Sequence, residues 1–186
     1  MTTVTWVILL IAVIAVAAAG YFAWKAQRTK QLRTKFGPEY DRLVHERGSA
    51  DRAEKELDYR AKRVEKLHIR SLSREECDRF TEQWRAAQAR FVDDPRAAIA
   101  EADELVHHAM KARGYPVDRD FADRAADISV DHPHVVEHYR AAHDIAVRDS
   151  QNPVSTEDLR VAMKHYRALF EDLLDRRVAE YEEVRK

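Results

Sequence analysis

Cysteine is nearly absent: Cys77 is the only one in 186 residues. No disulfide can form within the chain, so nothing demands an oxidising compartment. A thiolate zinc cluster built from one chain is excluded too. Glycine and proline are scarce, four and five residues, which disfavours long irregular segments. No glycine-rich phosphate loop and no Gly-x-Ser-x-Gly elbow is present. No stretch alternates with the period of a strand. Nor is there an excess of positive charge, since 32 cations face 33 acids. Five of the cations, Lys25, Arg28, Lys30, Arg33 and Lys35, lie close together. The remainder carries about −6, which argues against general nucleic-acid binding because that needs a basic face.

Charge itself is missing from one segment. Residues 4–24 read VTWVILLIAVIAVAAAGYFAW, with no acid, base or histidine. As a helix they span roughly 30 Å, the thickness of a bilayer's hydrocarbon core. Trp6 lies near one end, and Tyr21 and Trp24 near the other, where aromatic rings favour the headgroup level. Lys25 and Arg28 come at once after it, and no acid appears before Glu39. The positive-inside bias then places the C-terminal side in the cytoplasm of a plasma or inner membrane. A cleaved signal peptide is the competing reading, with Ala17-Ala18-Ala19 as a small-residue site. Signal peptides, however, carry their cations before the apolar run. A buried core helix is disfavoured because no other segment is apolar enough to surround it.

The rest of the chain is polar and helix-favouring, rich in Ala, Arg, Glu, Asp and Leu. The anchor helix is expected to continue to about Lys35 and to break at Gly37-Pro38. A short helix over residues 39–47 would stop at Gly48. Residues 49–69 are dense in charge, with Ala50, Leu57 and Val64 every seventh and Ala53 and Leu67 in a second row. Arg60 interrupts that row. This thin seam suits a stalk or a weak coiled coil. Ser73 and Glu76 form a capping box before a stripe of Cys77, Phe80, Trp84, Ala87 and Phe91. Asp94-Pro95 opens the next helix, whose inner face runs from Ala98 to Met110, and Gly114 closes it. Asp120 caps a shorter helix with Phe121, Ala125 and Ile128 inward. Another, to about Arg148, turns Val135, Val136, Tyr139, Ala142 and Ala146 inward. Ser155 or Thr156 caps the last, and Ser155 with Asp158 resembles a capping box with a shorter acid. Its stripe runs from Leu159 to Leu174 and on to Val178 and Tyr181, broad enough to face a bundle core.

The stretches 36–42 (FGPEYDR), 88–95 (QARFVDDP), 113–117 (RGYPV), 129–133 (SVDHP) and 165–170 (HYRALF) together resemble an uncharacterised bacterial family, often N-terminally anchored. The resemblance covers most of the chain after the anchor. It implies a bacterial membrane setting and supplies no catalytic residue.

Four constellations bear on chemistry. His134 and His138 are four apart, and with nearby Asp131 they form a candidate metal set, against a plain reading as solvated or capping residues. Glu65-x-x-His68 and Glu104-x-x-His107 match the spacing of dimetal bundles, but Leu67 and Leu105 claim the inner faces. Cys77 sits on an apolar stripe and reads as a small hydrophobe rather than a nucleophile. The turns carrying Arg113, Tyr115 and His132 are candidate partner-binding surfaces, against a structural role for their glycine and prolines.

The expected architecture is therefore all-α. A transmembrane anchor and basic flank (1–35) precede a short helix and charged stalk (36–70), then an antiparallel bundle (71–186). The expected role is a membrane-anchored scaffold or protein-interaction module. Its partners would be the lipid bilayer and a protein, or a second copy of itself. A metal- or small-ligand-binding domain using the His/Asp cluster is the alternative. No cofactor is implied, and an enzyme is the least favoured class.

Overall fold

The computed structural model describes residues 3–174. Val178 and Tyr181 lie outside them. The described residues form eight helices and no strand: α1 (Thr3–Phe36), α2 (Pro38–Arg47), α3 (Ala50–Val64), α4 (Arg74–Arg90), α5 (Pro95–Arg113), α6 (Phe121–Asp131), α7 (Val136–Gln151) and α8 (Thr156–Leu173).

Local chemistry sets the ends. Ser73 and Glu76 exchange both bonds of a capping box, and Ser155 and Asp158 do the same at α8. The side chains of Asp94 and Asp120 accept from the amides of Ala97 and Asp123. Gly48 and Gly114 end α2 and α5 in the left-handed region, with φ of 66° and 100°. At Gly114 a Cβ would also meet the backbone carbonyl oxygen of His68 at 2.5 Å, so only glycine fits there.

α4, α5, α7 and α8 make the bundle. The Cys77 thiol at the start of α4 lies 3.5 Å from the Leu174 carbonyl just past α8. Arg113 at the end of α5 donates to the Leu173 carbonyl, and Arg96 at the start of α5 meets Asp149 near the end of α7. So α4 and α7 run one way and α5 and α8 the other. Their core contains the whole expected stripe of α5 and all of residues 159–174 expected to face inward, with Trp84 stacked on Phe170 at 4.6 Å.

A second, smaller core joins the end of α1 to α2 and α3. Leu32, Phe36, Tyr40, Leu43, Ala53, Leu57 and Val64 build it, and Val130 of α6 enters from the bundle side. α6 therefore serves both cores, because its Ala125 and Ile128 face the bundle. The charged segment is helical only to Val64, shorter than the expected 49–69, and Ala53, Leu57 and Val64 of its seam are covered by the chain itself, while Ala50 stays exposed. Residues 8–24 of α1 are all exposed, Val16 and Phe22 at 73% and 67%, and so is Trp6 at 64%. The α1 stretch Ile8–Phe36 is long and apolar enough to cross a membrane, with a mean hydropathy of 2.0 in its most apolar window.

Candidate functional site

The densest chemistry lies where α1, α2 and α3 meet the bundle. Glu39, in the first turn of α2, is fully buried. Arg42 donates to it with Nε and Nη2 at 2.8 and 2.9 Å. Arg60 of α3 donates through Nη1 at 2.9 Å, and Arg140 of α7 through both terminal nitrogens at 2.7 and 2.9 Å. Burial alone would push the Glu39 carboxyl up, but the guanidiniums of Arg42 and Arg140 outweigh it and hold the acid at about 2. Glu46 and Glu56 take second bonds from Arg42 and Arg60, so three arginines meet three carboxylates. One carboxylate thus ties α2, α3 and α7 together. A second buried acid, Asp127 of α6, accepts from Arg63 of α3 at 2.7 Å, and burial raises its pKa.

Sequence reasoning missed this hub, although one sign was visible. Arg60 breaks the apolar row of α3, and it does so because that position faces Glu39 rather than water. A carboxylate next to a helix-starting proline reads as an ordinary first-turn acid, so the partner was not legible.

The structure gives the sequence-predicted residues separate neighbours. Asp131 accepts from the Tyr115 hydroxyl at 2.7 Å. His134 lies over Gly37, at the α1–α2 joint. His138 stacks on His165 of α8, with Nδ1 atoms 2.9 Å apart. Among the described residues, no group of three or more His, Cys, Asp or Glu side chains is placed to hold a metal ion. His132 is buried, with Nδ1 2.5 Å from Asp172, and this hydrogen bond holds the Asp172 carboxyl below the usual range. Tyr115 packs edge-on to His132, and Arg113 caps the end of α8. Tyr115 and His132 are both buried at this joint between elements. Of the two Glu-x-x-His motifs, Glu104 is exposed while His107 turns inward to the Tyr139 hydroxyl at 3.2 Å. Arg124 also reaches that hydroxyl, and burial pushes Tyr139 up to about 12.

Along α1, Lys25 pairs with Asp51 at 3.0 Å and Arg28 with Asp58, both on α3. Arg33 meets Asp41 at 3.6 Å. Three of the five cations clustered after the apolar run are thus countered by acids of the folded body. Trp6, Tyr21 and Trp24 stand exposed on the helix, and Arg28 lies over the Trp24 ring at 5.5 Å.

The fold defines an all-α body carried on an apolar helix. No protein-family model, curated protein or solved structure matches the chain.

Proposed function

We propose that this chain is a single-pass protein of a bacterial plasma or inner membrane, with its helical body in the cytoplasm serving as a docking module for a protein partner. The observation that carries the reading is the division of α1. Its first part is apolar and exposed, while its last turns are locked into the second core. Water disfavours about 20 consecutive exposed apolar residues, and lipid accepts them. The cations on the body side favour a cytoplasmic location.

A cleft of about 250 Å³ between the end of α4 and α8 supports the docking role. Phe91 and Met163 line it together with Arg160, Lys164 and Arg167, of which Arg160 and Arg167 also pair with Glu157 and Glu171 on the same helix. An apolar lining beside cations suits an acidic helical segment.

Alkaline carbonate should leave the chain in the membrane pellet. Protease should digest the body in inverted vesicles and spare it in intact cells. Release by carbonate, or digestion from outside, overturns the reading. A photo-cross-linker at position 164 should capture one discrete acidic protein, and that adduct should vanish on Phe91→Asp substitution.

A further inference from the structure

The ion pairs between α1 and α3 fix a register. Lys25 pairs with Asp51, the Thr29 hydroxyl donates to Glu54 at 2.6 Å, and Arg28 pairs with Asp58. Lys25 meets the first turn of α3, while Arg28 and Thr29 meet residues further along it, so α3 runs parallel to α1, away from the apolar segment. α2 must then run back towards it. The turn between α2 and α3 is consequently level with Trp24 and Lys25, one residue beyond the apolar run. Headgroups add roughly 5–7 Å on each side of the hydrocarbon, and each helical residue rises about 1.5 Å, so this turn lies within the headgroup layer.

Its charges suit that place. Asp51 is countered by Lys25 and Glu46 by Arg42. Arg47, Gly48, Ala50 and Arg52 are exposed, and Arg47 reaches only Glu56, at 3.4 Å. The N-terminus of α3, whose dipole favours anions, points the same way, and the Ser49 side chain makes no capping bond there.

We propose that the α2–α3 turn is a second membrane contact, in which Arg47 and Arg52 take the phosphate headgroups of the leaflet from which α1 emerges. The occupant is lipid because the chain brings its own leaflet to the turn. This rests on the membrane reading of α1. It gives the body a fixed orientation: α3 stands on the bilayer and the bundle lies beyond it.

The test uses the full chain in liposomes, with a fluorophore on Ala15→Cys, Ala50→Cys or Lys66→Cys; native Cys77 is buried. Quencher on the acyl chains should act on position 15, and failure there sinks the anchor reading alone. Quencher on the headgroups should act severalfold more strongly at position 50 than at 66, near the far end of α3. Equal quenching at 50 and 66, with 15 in lipid, overturns the proposal. Headgroup quenching at 50 should also be stronger in phosphatidylglycerol than in phosphatidylcholine. Combined Arg47→Glu and Arg52→Glu substitutions should abolish that difference, and its persistence would rule out recognition by these arginines.

Discussion

Glu39 is the residue on which most others depend. Its removal would leave Arg140 without its anion and Arg60, 5% exposed, with only the half-buried Glu56. Breaking such a group by deleting one partner costs about 3–5 kcal/mol. Glu39→Ala should lower stability by that amount in chemical denaturation of the detergent-solubilised chain; a loss under about 1 kcal/mol would mean the arginines are hydrated. The same carboxyl sets an acid limit. Its ordinary value is 4.5 and its folded value about 2, so the unfolded chain binds the proton first. The stabilisation, on the order of 3 kcal/mol, is fully present above 4.5 and disappears as pH falls towards 2. His107 and His143 begin the decline earlier, because burial lowers both from 6.5 and the unfolded chain takes their protons first. Denaturation midpoints measured across this range should fall in two stages. At Gly114, Gly114→Ala combines a positive φ with a contact on the His68 carbonyl, and it should cost more than the roughly 1 kcal/mol of a simple left-handed alanine.

At the scale of elements, α3 decides whether the chain is a bundle on a stalk or one continuous body. Leu57 is fully buried between the helices of the smaller core. Leu57→Ala should therefore cost about 2–5 kcal/mol, whereas a free-standing stalk would register little. The bundle helices were legible because their signals are local. Capping residues, the Gly114 stop and the three-and-four spacing of apolar residues all act within one or two turns, and the inner faces of α5 and α8 appear as expected. The packing of α3 was not legible, because its thin seam is completed by side chains from α1, α2 and α6, far away in the sequence. For the same reason Asp131, His134 and His138 looked like one set. Spacing along a chain places residues on a helix, but α7 begins only at Val136, so Asp131 and His134 lie outside the helix that carries His138.

At the scale of the molecule, one helix has two surroundings. From Ile8 to Trp24 its side chains meet no other part of the chain, and from Leu32 onward they enter a core. The ion pairs of Lys25, Arg28 and Arg33 brace the crossing from one regime to the other. They also weaken any purely electrostatic hold on an anionic leaflet, which would otherwise contribute about 1 kcal/mol per free cation. In the membrane reading, attachment then rests chiefly on the apolar segment. Hydrogen exchange of the full chain in lipid nanodiscs tests this most directly. The account predicts that amides 8–24 stay protected in lipid for hours and that those of the bundle exchange by global unfolding. Exchange of amides 8–24 within seconds, as in a lone helix in water, would contradict it.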